Sequence, residues 1–409
     1  MTYVEFFDRT SIENICACLT DAPERVIFLG DNKELMDHYI ANYKKVFGDG
    51  DKIQFESRKV DKGNMEHVVK KLADIVNECE ECHFGITGGE EILMLALGII
   101  YERYPDKNIQ IHKFGICDNR IYDCDKDGNT IFKETPALSV KENVLIYGGD
   151  IVYGDITEDK TYLWQMDEEF EQDIENMWRI CRTNGRAWNT QINVFEACHK
   201  KGAASADGLT VTAKFSEVRN YLAQHRASYR VIRGIINQLC HKGLITKYEE
   251  NEEQLVVSFK NAQVKRCLIK AGTVLEMKVY ASARSLRDSH GTLIYNDVMN
   301  GVVIDWDGEL HGVKENFYDT INEIDVFLMH GMIPVFISCK NGVVEAEELY
   351  KLNTVAERFG GKYAKKVLVA TALDSLGETG KYIRQRASDM NIRVVENLSE
   401  KELENLYFI

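Results

Sequence analysis

Glu323 and Asp325 stand two residues apart at the start of one apolar run. Ser338 and Lys340 stand two apart at the end of the next, within Asn322–Gly342, NEIDVFLMHGMIPVFISCKNG. Residues two apart on a strand point to the same side. Pairing of the runs around Met332-Ile333-Pro334 therefore predicts that the carboxylates and the ammonium converge at one sheet edge. Glu276, in AGTVLEMKVY, lies on a helical stretch that can bring a third acid. Carboxylates gathered in this way suit a hard divalent cation, which takes oxygen ligands. Such a cation polarises a phosphate and lowers the pKa of a water nucleophile. A lysine beside it stabilises charge on the phosphoryl oxygens. The set predicts a metal-dependent phosphodiesterase: Glu276 and Asp325 as metal ligands, Glu323 as a further acid, Lys340 as the charge stabiliser, and Ser338 orienting a bound water. The same residues also fit a plainer arrangement, a structural ion pair between Asp325 and Lys340 at a strand end.

A second set is suited to phosphate. Asp8-Arg9-Thr10-Ser11, Gly30-Asp31-Asn32 and Thr87-Gly88-Gly89-Glu90 each follow a strand-like run, and the last opens a helical one. Paired glycines let backbone N–H groups approach an anion, and a helix N-terminus adds positive potential. None of these is a G-x-G-x-x-G or Walker A loop, and neither is Gly377-Glu378-Thr379-Gly380-Lys381. Tight strand-to-helix turns use the same residues.

The elements that must position both sets follow from periodicity. YVEFF, RVIFL, KIQFESRKV, CHFGI and IQIHKFGI read as strands, and the stretches between them have apolar residues at helical spacing. That alternation predicts a parallel sheet with helices on both faces, whose ligands sit at the carboxyl ends of the strands. From about Trp164 to Phe259 the chain turns helical. INVFEACHKKG, FSEVRNYLAQHR and SYRVIRGIINQLCHKGLI are followed by two strands around an acidic turn, the ingredients of a winged helix-turn-helix. Arg226, Arg230, Arg233 and Lys242 fall on or near its last helix. Such a module binds DNA or serves as a rigid connector. The third part opens on one long helix, QVKRCLIKAGTVLEMKVYASARSL, and continues through strands and helices to IRVVEN.

Composition sets the frame. The 409 residues suffice for two to four domains at about 100–200 residues each. Net charge is −15, yet residues 200–290 carry sixteen Lys/Arg against eight Asp/Glu, a local +8 between acidic flanks. No apolar run reaches the roughly 18–20 residues that span a bilayer, and the N-terminus has no signal-peptide pattern, so a cytoplasmic chain is expected. Its eleven cysteines are then expected as thiols. Cys79-Glu80-Glu81-Cys82 lacks the second pair of a structural zinc site. Asp123–Glu134 matches the calcium-loop pattern, but it sits between strand-like runs and reads as a hairpin tip. The terminal ENLYFI resembles a protease-tag sequence.

The ensemble LEMKVY, NEIDV and FISCKNG resembles the PD-(D/E)xK nuclease superfamily, with Ser338 where that family places an acid two residues before the lysine. With VEFFDRTSIENICACL and FGITGGEEILMLAL before it, the whole chain is similar to CRISPR ancillary nucleases. The resemblance implies an α/β multidomain chain: a Rossmann-like CARF domain at 1–155, a winged helix-turn-helix at 156–260, and a restriction-endonuclease-like α/β domain at 261–409. It implies a homodimer that binds one cyclic oligoadenylate, most simply the tetramer, at its two-fold axis. It implies Mn²⁺- or Mg²⁺-dependent cleavage of single-stranded DNA, RNA or nicked duplex. Arg9, Thr10 and Ser11, Gly30, Asp31 and Asn32, and Thr87, Gly88, Gly89 and Glu90 would then surround the cyclic ligand. Two rivals are a nucleotide-responsive, non-catalytic DNA-binding regulator with a degenerate nuclease domain, and a repair nuclease that needs no cyclic nucleotide.

Overall fold

The computed structural model describes residues 1–9, 11–47, 53–125, 128–309, 311 and 319–396. Strands β1 (Thr2–Phe6), β2 (Arg25–Gly30), β3 (Gln54–Lys59), β4 (Glu81–Gly85) and β5 (Asn108–Gly115) run parallel in the order β3-β2-β1-β4-β5. Strands β6 (Arg120–Cys124) and β7 (Thr130–Glu134) extend the sheet antiparallel. All five residues of β1 are buried, as a central strand covered on both faces requires. Helices α1 (Cys16–Asp21) and α2 (Lys33–Phe47) pack with Tyr3 and Phe28 on one face. Helices α3 (Met65–Glu78) and α4 (Glu91–Arg103) pack with Val4 and Phe84 on the other. The strand order reverses at β1, so a crevice opens at the carboxyl ends of β1 and β4.

The stretch matching a calcium loop is the β6–β7 hairpin, joining two strands where an EF-hand joins two helices. Its Asp127 lies outside the described residues, as do Thr10 and the terminal ENLYFI. Cys79 stands at the C-terminal cap of α3, and it and Cys82 are buried free thiols.

Helix α5 (Val140–Ile146) opens on a capping box formed by Ser139 and Glu142. The short strand β8 (Asp150–Ile151) follows and pairs with a strand about 150 residues later in the chain. The middle of the chain holds α6 (Glu168–Thr183), α7 (Gly185–Lys201), β9 (Ala203–Ala204), β10 (Thr210–Lys214), α8 (Phe215–Gln224), α9 (Arg233–His241), β11 (Ile245–Glu250) and β12 (Gln254–Phe259). Its sheet runs β11-β12-β10-β9. Helix α9 starts only at Arg233, five residues later than its periodicity predicts. Tyr229 packs edge-on against Phe215 and its hydroxyl donates to Glu250, which keeps the preceding segment out of the helix.

The third part contains α10 (Ala262–Ile269), α11 (Thr273–Ser285), β13 (Asp297–Asp305), β14 (Ile321–His330), β15 (Ile333–Lys340), α12 (Ala346–Gly360), β16 (Lys365–Ala370), α13 (Glu378–Asp389) and β17 (Ile392–Glu396). Its sheet runs β17-β16-β15-β14-β13-β8. The long helix expected over 263–286 is two helices. Gly272, at φ +96°, breaks it and leaves α11 with a fresh N-terminus. The hairpin turn is also tighter than expected: His330 pairs with Ile333 and Met329 with Pro334, so only Gly331 and Met332 turn the chain. Pro334 is tolerated because β16 begins to pair with β15 only at Val335. Among the described residues no helix is long and apolar enough to cross a membrane.

Candidate functional site

The β14–β15 register places Val326 opposite Ile337, so the next residues outward are Asp325 and Ser338. The Asp325 carboxylate is held by its neighbours. The Cys339 N–H donates to Oδ2 at 2.6 Å, and the Ser338 hydroxyl donates to the same oxygen at 3.3 Å. On the other side, Asn300 Nδ2 donates to the Asp325 carbonyl at 2.9 Å, and Trp164 Nε1 donates to Asn300 Oδ1 at 3.0 Å. The β13–β14 ladder skips at this level. Asn300 pairs with Val326 and Val302 with Ile324, while Gly301 between them takes φ +58°. Ile324 and Val326 consequently pack in different cores, as strict alternation would not allow.

Glu276, in the first turn of α11, is 7% exposed, and its carboxylate has no hydrogen-bond or ion-pair partner among the described residues. Burial, and then the charge of Asp325, push it well above the usual carboxylate range. Burial likewise raises Asp325, against the opposing pull of the Cys339 N–H and Lys340. These are two acids that repel one another in a poorly solvated place. Burial acts to lower Lys340, but Asp325 and Glu348 outweigh it and hold the ammonium above its ordinary value. The direct partner of Lys340 is Glu348 of α12, at 2.9 Å, and not Asp325, so the simple Asp325–Lys340 ion pair is not formed. Glu323 is exposed and paired with Lys270 at 2.9 Å.

Glu276, Asp325, Ser338, Lys340 and Glu323 thus form one electrostatic group. Among the described residues no cluster of three or more His, Cys, Asp or Glu is spaced to ligate an ion. The donor set still fits a small hard cation, which binds through one or two carboxylates and keeps much of its water. Glu276, unpartnered among the described residues and in the electrostatic field of Asp325, would be one such carboxylate and Asp325 the other.

Four contributors escaped the sequence reading. Glu348 had a signal, an acid on the helix after the lysine strand. Lys270 became visible only once the helix broke. Asn300 and Trp164 act through hydrogen bonds between residues 136 apart in sequence, which no local pattern encodes.

The phosphate-suited loops gather at the carboxyl ends of β1, β2 and β4. A Cβ placed on Gly88 would lie 2.6 Å from Cβ of Asp8 and 2.9 Å from the Phe6 carbonyl, so the first and third loops touch. Lys62 bridges the second and third loops, at 2.7 Å from Glu90 and 4.0 Å from Asp31. Asn32 accepts from Leu35 N–H and starts α2, while Glu90 caps α4. Gly30 packs under Met36 and Phe7. The Thr87 hydroxyl accepts from Phe114 N–H at 2.8 Å, a structural brace. Arg9 is exposed at the rim, with its carbonyl accepting from the Tyr39 hydroxyl at 3.3 Å, and Ser11 opens a short 3-10 turn.

No protein-family model and no curated protein matches the sequence. Solved structures match its fold. Protein VC1899 from Vibrio cholerae aligns with a TM-score of 0.71 at 15% identity, covering 99% of this chain and 96% of its own. Can2 from Sulfobacillus thermosulfidooxidans, in complex with cyclic tetra-adenylate (cA4), aligns with a TM-score of 0.65 at 16% identity, covering 100% and 98%. At such identities the likeness is one of fold, and it extends over the whole chain: this protein has the multidomain α/β architecture of VC1899 and Can2 from end to end.

Proposed function

We propose that the chain is a cyclic-oligoadenylate-activated, divalent-metal-dependent nuclease of type III CRISPR defence. In this reading it comprises a CARF sensor (1–155), a winged-helix linker (156–260) and a PD-(D/E)xK domain (261–409). The observation that carries the reading is Glu276, a nine-tenths-buried carboxylate with no partner among the described residues, in the electrostatic field of Asp325 and Lys340. A fold keeps such a group at a cost to stability, and active sites are where that cost recurs. A bound Mn²⁺ or Mg²⁺ supplies Lewis acidity and an acidified water. The chain's own residues do the rest. Glu276 and Asp325 would hold the cation, Cys339 N–H and Asn300 fix Asp325, and Lys340, kept protonated by Asp325 and Glu348, would stabilise charge on a phosphoryl oxygen.

The likeness to Can2, seen with cA4 bound, supports the tetramer as the ligand of the three-loop crevice. A homodimer is supported by α4, which is apolar on nearly all sides and exposes Leu95. A ring with two-fold symmetry suits the axis of such a dimer. Single-stranded DNA or RNA is the proposed substrate, with nicking of duplex as a further activity.

One observation favours a second reading. Ser338 stands in the acid position and gives its hydroxyl to Asp325, as a degenerate site in a nucleotide-responsive DNA-binding regulator would allow. Lys340→Ala separates the two. We expect it to lower activator-dependent cleavage by about 100-fold or more, with cyclic tetra-adenylate binding unchanged. Unchanged cleavage in that variant would remove Lys340 from the chemistry.

A further inference from the structure

The Glu276 carboxylate lines a cavity of about 390 Å³ that runs away from the sheet edge, between α7, α10 and the segment 156–164. Its size falls within the roughly 300–1,000 Å³ range of small-ligand pockets. Three features of its wall ask for an anionic, planar guest. Lys200, Lys265 and Arg266 line it, and none has a carboxylate partner within 4.0 Å among the described residues. Lys265 and Arg266 donate only to backbone carbonyls, Lys265 to Gly208 at 2.6 Å and Arg266 to Ile156 at 2.5 Å. Six acids line it too: Glu323 pairs with Lys270, Glu158 with Lys160, Glu196 accepts from the Tyr221 hydroxyl and Asp207 from its own turn, which leaves Asp159 and Glu276 to set against Lys200, Lys265 and Arg266. Arg266 also lies over the rings of Tyr162 and Trp164, at 5.3 and 5.7 Å, so guanidinium and indole build a flat wall.

The third feature is the most specific. Thr273, the first residue of α11, lines the same cavity at 4% exposure, and its hydroxyl has no hydrogen-bond partner among the described residues. Helix α11 has thirteen residues and no side-chain cap; Leu275 and Glu276 N–H close on the Gly272 carbonyl, so among the described residues the Thr273 and Val274 N–H groups are left for a guest. An unpartnered buried hydroxyl destabilises a fold unless something outside the chain satisfies it.

We infer that this cavity is a nucleotide subsite: it takes one nucleotide of the substrate strand beside the scissile position. The phosphate is held by the α11 N-terminus, Thr273 and Lys265, and the base lies against Arg266 and the Trp164 wall. A base enters such a cavity only when it is unstacked, so the site selects single strands or locally opened duplex. The inference rests on the nuclease reading above. It also gives a location to the basic segment 200–290, four of whose cations, Lys200, Lys265, Arg266 and Lys270, line this one cavity.

The test is metal-free binding. Fluorescence anisotropy of a labelled eight-nucleotide single strand is measured in EDTA, with cyclic tetra-adenylate present, on the full-length wild type and on Thr273→Val and Lys265→Gln. We expect each substitution to weaken binding by about tenfold. Thr273→Val should do so while its unfolding midpoint stays equal or rises, because it removes a polar group that nothing in the chain satisfies. Strand binding by the wild type that neither substitution weakens overturns the subsite and leaves the nuclease reading standing. No strand binding by the wild type at all overturns the nuclease reading, and the subsite with it.

Discussion

Glu276 has a consequence for stability that can be measured without substrate. In the folded chain it titrates above its unfolded value, driven by burial and then by Asp325. Its contribution therefore favours the fold below about pH 4.3 and is lost as pH rises through the raised folded value. At neutral pH, with no divalent cation, this acid opposes folding, because the unfolded chain ionises it more readily. Glu276→Gln keeps the shape and removes the charge. Its metal-free unfolding midpoint at pH 7 should exceed that of the wild type, by about 2–4 °C for each kcal/mol relieved. The gain should vanish near pH 4, and Mn²⁺ should raise the midpoint of the wild type but not of the variant. Thermal melts at the two pH values check this. A gain that persists or grows toward acid contradicts the assignment.

The segment from β8 to Trp164 leaves the N-terminal part of the chain and is sewn into the third sheet. Val152 N–H donates to the Val303 carbonyl at 2.8 Å, and Val303 N–H donates to the buried Thr161 hydroxyl at 2.7 Å. Trp164 then reaches Asp325 through Asn300. This strap joins the N-terminal part of the chain to the acid that the proposed reaction needs, which makes Asn300 and Trp164 positioning residues in that proposal. Asn300→Ala should lower kcat about tenfold with KM and cyclic tetra-adenylate binding unchanged. Trp164→Phe, which keeps the ring stacked on Phe170, should lie between wild type and that variant. A change in KM alone contradicts a positioning role. Little of this strap was legible in the sequence. The parallel sheet, its loops and the acid–lysine hairpin were, because each is local: period-two runs, glycine turns and residues two apart carry their own geometry. The helix break at Gly272 was missed because apolar spacing continues across it. The late start of α9 was missed because Tyr229 and Glu250 override propensity from a distance.

At the scale of the molecule, the proposed activation couples the three-loop crevice to the proposed hydrolytic site within a proposed symmetric dimer. The proposed dimer would use the exposed apolar side of α4, which carries Leu95. Leu95→Glu should shift the chain toward monomer in sedimentation velocity and abolish activation, while the isolated chain keeps its thermal midpoint within a few degrees. Persisting dimers place the interface elsewhere. A ligand activates only by binding one dimer geometry more tightly, and about 1–3 kcal/mol of such preference corresponds to roughly 5–150-fold in activity-competent population. The most direct measurement is a single cleavage assay on labelled single-stranded DNA and RNA with Mn²⁺, with and without a panel of cyclic oligoadenylates. The account predicts cleavage that depends on both the metal and cyclic tetra-adenylate and that disappears in Lys340→Ala. Cleavage independent of every cyclic nucleotide, or none under any of these conditions, would contradict it.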